Sequence, residues 1–149
     1  MSYNIEFLSY LSQWKGALPS LTLSDAFSQP ASSALIVVDL VEGFCSTGAL
    51  ASPRVNAIVP AATTLMQQAW DQGVREFLFS HDSHEPDAIE FSAFPPHCVR
   101  GTLETEIVQP IKDLPFFDQI NILEKNSIAS DQNTRLAEWL QPRSHLSTF

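Results

Sequence analysis

The sequence predicts an α/β domain with a mostly parallel sheet and right-handed crossovers. Three short apolar runs carry strand-like composition: ALIVVDL (34–40), REFLFSH (75–81) and INILEK (120–125). Segments of helical spacing lie between them, and that alternation marks a parallel sheet with crossover helices. The runs also end in polar residues, which fits a ligand-binding rim at the carboxyl ends of the strands.

The elements follow in chain order. Tyr3, Phe7, Tyr10, Leu11 and Trp14 recur at i, i+4, i+7, i+8 and i+11, the period of an amphipathic helix that lays one apolar face on something. A loop rich in Pro and Ser follows, so residues 1–33 form a helix and lead-in to the domain proper, residues 34–149. The run 34–40 is continuous and β-branched, and reads as a strand buried on both faces. After the loop GFCSTGALASPRVN, Ser52 and Pro53 form an N-cap and N1 pair. Val55, Ile58, Val59, Ala62, Leu65, Met66, Ala69 and Trp70 keep helical spacing as far as Gly73. Pro60 either kinks this helix or marks its start. Strand 75–81 leads at once into a polar loop. A short helix is predicted within 102–111, a third strand over 120–125 and a helix over about 131–141, where Leu136, Trp139 and Leu140 recur. LSTF at 146–149 reads as the first residues of a fourth strand.

Composition narrows the function. Hydrophobic residues make up 44% of the 149, enough for one good core. A net charge of −9 argues against nucleic acid or an anionic membrane as partner, since both need a basic surface. Two cysteines form neither a disulfide framework nor a CxxC pair, which points to a reducing, cytoplasmic setting. The first residues lack the basic and apolar regions of a signal peptide, and no apolar run reaches the ~18 residues of a membrane span.

Asp39, residues 81–84 and Lys125 all fall at or just past strand ends, so three strands deliver polar groups to one rim. A lone Asp there more often caps the next turn. On a shared rim, Asp39 becomes a candidate general base with a pKa raised by burial. Lys125 is either a solvated flank or a buried ammonium that pairs with Asp39 and stabilises an anion nearby. Asp82 and His84 stand at i and i+2, which in extended chain point the same way and can reach one ion. Glu90 and His97 would close that site from the far side of the loop. Carboxylate plus imidazole suits Zn, Mn or Fe, and the alternative is a solvated polar loop. Cys45 and Cys98 sit among apolar residues, where thiols are more often inert. Either would need a base within hydrogen-bond reach to act as a nucleophile.

These motifs, in this order, resemble the nicotinamidase and pyrazinamidase branch of the isochorismatase-like cysteine hydrolases. ALIVVDLVEGF resembles the family's first strand, with its catalytic Asp at Asp39 and its Phe at Phe44. HDSHEP resembles the D-W-H-P signature, with Ser83 in the Trp position and Glu85 inserted before Pro86. FPPHCVRGTLETE resembles the stretch with the last metal histidine, matched by His97. Glu90 matches an additional carboxylate ligand of some members, and EKNSIAS carries the match for the catalytic Lys at Lys125.

The resemblance implies a three-layer αβα fold and a Cys-Lys-Asp triad that cleaves a small carboxamide to the acid and ammonia. It further implies that Phe44 lines the substrate site. Asp82, His84, His97 and Glu90 would hold a divalent metal, Zn first and Mn or Fe as alternatives. In nicotinamidases that metal holds the pyridine nitrogen, which favours nicotinamide or a pyrazine analogue here. Isochorismatases lack the metal. The family often assembles, so a homo-oligomer fits as well.

One departure sets a further expectation. The family nucleophile follows the fourth strand, and neither Cys45 nor Cys98 stands in its place. The C-terminal strands and helices of the fold are absent. The expectation is an N-terminal part of a longer chain, whose nucleophilic Cys lies beyond these residues. Residues 1–149 alone would then be inactive and would expose a long apolar sheet edge. Alternatives are a metal- and ligand-binding pseudoenzyme and a hydrolase of another small amide. Ser83 and the VEG after Leu40 keep the latter open.

Overall fold

The computed structural model describes residues 3–149. Among them, β1 (Ala34–Val38), β2 (Glu76–Asp82) and β3 (Asn121–Lys125) form a parallel sheet in the order β1-β2-β3. Ala34 pairs with Glu76 and Asp82 with Lys125. All three strands therefore end on one rim.

The chain between β1 and β2 packs on one face of the sheet. Helix α1 (Tyr3–Ala17) and α2 (Leu23–Ala26) precede β1; α3 (Glu42–Cys45), α4 (Pro53–Asn56) and α5 (Val59–Asp71) follow it. The Ser52 side chain accepts the Arg54 N–H and caps α4. Pro60 lies in the first turn of α5, where its missing N–H costs nothing, so it marks a helix start rather than a kink. Met66 and Ala69 of α5 are wholly buried against Val37, Phe77 and Phe79. Trp70 stacks on Phe116 with ring centroids 4.4 Å apart. Burying each large side chain of this kind stabilises the fold by roughly 1.5–3 kcal/mol. On the opposite face, Ala34, Leu78 and Leu123 pack with Trp139 of α7 (Leu136–Leu140), after α6 (Gln109–Lys112) has completed the first layer. Helices thus lie on both faces, giving the three-layer α/β arrangement that the sequence predicts.

Several elements differ from expectation. β1 is not buried on both faces: Ile36 is 39% and Val38 54% exposed, because the cluster around Trp139 reaches Ala34 and no further along that strand. The helix α1 forms, but Ile5, Phe7, Leu8, Tyr10 and Trp14 are all exposed, so its apolar face does not lie on the described domain. Ile5 and Leu8 fall off the predicted stripe, so apolar side chains extend beyond one face. The short helix expected within 102–111 is present, but only at the end of that stretch, as α6. A 3₁₀ turn, Leu103–Thr105, precedes an extended stretch in which Ile107 bridges Val41 and Val108 donates to the Leu40 carbonyl; only then does α6 begin. The helix expected over 131–141 is confined to Leu136–Leu140. Short polar residues at 130–134 bond to the backbone instead, as where Thr134 Oγ1 accepts the Leu136 N–H. The tail behaves as predicted at its start: Thr148 bridges Ser33 in parallel, on the free edge of β1. Among the described residues, no helix is long and apolar enough to cross a membrane.

Candidate metal centre and catalytic cleft

The rim gathers its charges through strand register. Asp82 and Lys125 are direct partners at the ends of β2 and β3, so their side chains share a face. Lys125 Nζ lies 2.8 Å from Asp82 Oδ1 and 3.0 Å from Asp39 Oδ2. It is buried with Asp82. Burial alone would lower its pKa, but the hydrogen bond to Asp82 and the charge of Asp39 outweigh it and hold Lys125 as an ammonium. Asp39 sits just past β1 with φ 57°, a left-handed conformation that Asp tolerates better than most residues. Burial pushes the Asp39 carboxyl up, and the opposing pull of Lys125 does not cancel this. Its Oδ1 is buried without a partner. Asp39 is therefore a carboxylate with raised proton affinity, one oxygen fixed on an ammonium and the other free.

Asp82 faces a second group through its other oxygen. His84 Nε2 lies 3.1 Å from Asp82 Oδ2, and His97 Nε2 lies 3.4 Å from the same atom. Each of the three residues is buried, and their ligand atoms lie within 4.8 Å of one another. Donors placed ~2.1 Å from a tetrahedral ion stand ~3.4 Å apart, so the cluster has the spacing of a metal site. The chemistry fits too. His97 Nδ1 is 2.8 Å from the Pro95 carbonyl, which can only accept; Nδ1 thus carries the proton and Nε2 presents a lone pair. Lys125 takes Oδ1 of Asp82 and leaves Oδ2 for the ion. Glu90, on the 3₁₀ turn Ile89–Ser92, stands farther off, 3.9 Å from His84 Nε2 and 4.0 Å from His97 Nε2. Backbone pairing holds the two histidines together: His84 N–H donates to the Cys98 carbonyl and Arg100 N–H to the His84 carbonyl.

Between the two halves opens a cleft of ≈ 240 Å³, lined by Asp39, Asp82, Glu90, His97, Lys125 and the side chains of Phe44 and Phe94 among others. The Phe44 ring on α3 lies 5.8 Å from that of His97, and Phe94 6.4 Å. Apolar walls with a few convergent polar groups suit a small planar ligand. Wider grooves border β3, one of ≈ 480 Å³, but there Arg100 is already paired with Glu85 and Glu124.

Neither thiol belongs to the cleft. Cys45 and Cys98 are free and buried. Burial and the nearby carboxylates push the Cys98 thiol up to about 12, and burial raises Cys45 as well. Two features escaped the sequence reading. The Lys125–Asp82 contact, which couples both halves of the site, depends on strand register. Glu104, which accepts the Cys98 N–H at 2.9 Å, carries no motif beyond its place in GTLETE.

Residues 33–145 match the model of the isochorismatase domain. Nicotinamidase 1 of Arabidopsis thaliana is 28% identical over 129 residues, covering 78% of this chain and 52% of that protein. Among solved structures, pyrazinamidase/nicotinamidase from Streptococcus mutans UA159 superposes with a TM-score of 0.65 at 26% identity, over 76% of this chain and 67% of that one. Pyrazinamidase of Pyrococcus horikoshii in complex with zinc gives 0.64 at 28% identity, over 76% and 65%. N-carbamoylsarcosine amidase from Thermoplasma acidophilum gives 0.66 at 26% identity, over 76% and 62%. The chain spans about half the length of the curated relative it matches.

Proposed function

This chain belongs to the isochorismatase-like hydrolase family, on its nicotinamidase side, and from that premise we propose that it carries the metal and acid-base half of an amidohydrolase acting on nicotinamide or a close pyridine or pyrazine carboxamide. The observation that supports this most is the single buried ammonium of Lys125 between Asp39 and Asp82, which sets a base beside a metal-type cluster in one cleft.

Asp39, with its raised proton affinity and free Oδ1, accepts the proton of a nucleophilic thiol. Lys125 keeps the resulting anions tolerable in a buried site. That thiol is neither Cys45 nor Cys98, both of which are buried, and it comes from outside residues 1–149. The thiolate adds to the carboxamide carbon, the C–N bond breaks, and ammonia leaves with the proton that Asp39 returns. Water then hydrolyses the thioester to the acid and restores the thiol. Asp82, His84 and His97 would hold the metal, with Glu90 as a further ligand. When bound, the ion supplies a Lewis-acidic position for a ring nitrogen of the ligand. Imidazole with carboxylate favours zinc, with Mn or Fe also accepted, and zinc in the Pyrococcus relative supports the first choice. Phe44 and Phe94, both beside His97 in the cleft, would wall the ring. The free thiols support a cytoplasmic setting, and the net charge of −9 disfavours nucleic acid or an anionic membrane as partner.

Ammonia release by the full-length protein tests this reading. With zinc supplied, nicotinamide and pyrazinamide are expected to turn over and an aliphatic amide to lag well behind. No ammonia from any of them would sink it. The likeness to N-carbamoylsarcosine amidase favours a second reading, a different small amide; turnover of N-carbamoylsarcosine in preference to nicotinamide would select it.

A further inference from the structure

Cys98 stands between the two histidines through its backbone. It follows His97 directly, and its carbonyl accepts the His84 N–H at 2.9 Å. Its φ is 43°, in the left-handed region that a side chain with a Cβ adopts only when its surroundings hold it there. The remaining backbone group at this turn, the Cys98 N–H, meets no carbonyl. It donates to Glu104 Oε2 at 2.9 Å.

Glu104 is built into the fold around that bond. Its backbone lies in the 3₁₀ turn Leu103–Thr105, whose Thr105 is buried and gives its carbonyl to His81 Nε2. Two glycines make room for it. A Cβ at Gly43 would lie 2.9 Å from the Glu104 carbonyl oxygen and 2.6 Å from Cys98 Sγ. A Cβ at Gly48, where φ is +110°, would lie 2.5 and 2.6 Å from the two carboxylate oxygens. Gly43 adjoins Phe44, so the strand of chain carrying the cleft wall runs against Glu104 as well.

We propose that Glu104 is a positioning residue for the metal centre: its carboxylate clamps the left-handed turn at Cys98, and that turn delivers His97 Nε2 to Asp82 and His84. Glu104 touches none of the ligand atoms. It acts through the Cys98 amide, and a charge-assisted bond to that amide is stronger than a neutral one. Loss of an outer partner of a ligating histidine costs metal affinity, so Glu104 should be felt at the ion without meeting it. The inference rests on the metal reading above.

Three variants of the full-length protein separate this role from mere space filling. E104Q keeps an acceptor, E104M keeps volume without one, and E104A loses both. Two quantities are read: amide hydrogen exchange at Cys98 in the metal-stripped protein, and zinc affinity by competition with a chromophoric chelator. E104Q should stay within about threefold of wild type in zinc affinity, while E104M and E104A lose about tenfold or more. Exchange at Cys98 should accelerate strongly in E104M and E104A and only slightly in E104Q, which keeps a weaker, neutral bond. Should E104A fail to fold, the E104M and E104Q pair decides. An E104M that matches wild type in exchange and in zinc affinity overturns the inference. A wild type that binds no zinc overturns the metal reading instead, and the clamp then stands or falls on the exchange rates alone.

Discussion

Lys125 is the residue on which the site turns. Its ammonium is shared by a carboxylate on each side, 2.8 Å to Asp82 and 3.0 Å to Asp39. The sequence made Lys125 and Asp39 candidates by placing them at strand ends. It did not disclose the bond to Asp82, because spacing along the chain says nothing of cross-strand register. Donor chemistry and a place on a rim loop made Asp82, His84, His97 and Glu90 candidate ligands; the structure clusters the first three, with Glu90 farther off. The proton on His97 Nδ1 was not legible in the sequence, since it depends on where the Pro95 carbonyl falls. Asp39 yields a prediction at this scale. Burial raises its folded pKa above the ordinary aspartate value, so the stability it contributes is full below the unfolded pKa and is lost as pH rises through the folded one. The charged form is thus the unfavourable one in the folded protein. Asp39→Asn keeps the shape, tolerates the left-handed φ and leaves Lys125 paired with Asp82. The variant is expected to lose activity, to be no less stable than wild type at pH 7 in urea unfolding, and to lose less stability between mildly acid and neutral pH. A clear destabilisation at pH 7 would show that the charged pair with Lys125, rather than desolvation, governs Asp39.

At the scale of elements, the strands were legible and the short helices were not. ALIVV, EFLF and NIL announce themselves as apolar, β-branched or aromatic runs. The short helix predicted within 102–111 starts only at its end, because Pro110 permits a helix only from its first turn, and because Ile107 and Val108 spend their backbone groups on the turn after β1. The polar stretch 130–134 shortened the last helix, its side chains bonding locally. The turn after β1 also explains the glycine of VEGF. Gly43 lies so close to Cys98 and Glu104 that a methyl group there has no room. Gly43→Ala is expected to cost roughly 1–3 kcal/mol by overpacking, read from the urea midpoint at unchanged slope. It should also shift Phe44 and raise KM. A variant as stable as wild type would mean that α3 can slide away from Glu104 freely.

At the scale of the whole molecule, the sheet collects its chemistry at one rim and leaves part of one face bare. Ile36 and Val38 are exposed beside the free edge of β1, where the Ser33–Thr148 bridge opens a further parallel pairing. The family, its layers and the order of its motifs could be read from the sequence because Asp39, Asp82 and Lys125 sit at or just past strand ends. The open face could not, since an apolar run looks the same whether both faces are covered or one. Taken together, the molecule presents an acid-base pair, a metal-type cluster and an aromatic-walled cleft. The central claim is that these act together on a pyridine carboxamide. Its most direct test is ammonia release from nicotinamide by the zinc-loaded full-length protein, with Asp39→Asn measured beside it and zinc binding checked in both. The account predicts turnover by the wild type and a fall of about 10²–10⁴-fold in Asp39→Asn with zinc still bound. Zinc-loaded wild type that releases no ammonia, or Asp39→Asn that releases it at the wild-type rate, would contradict the account.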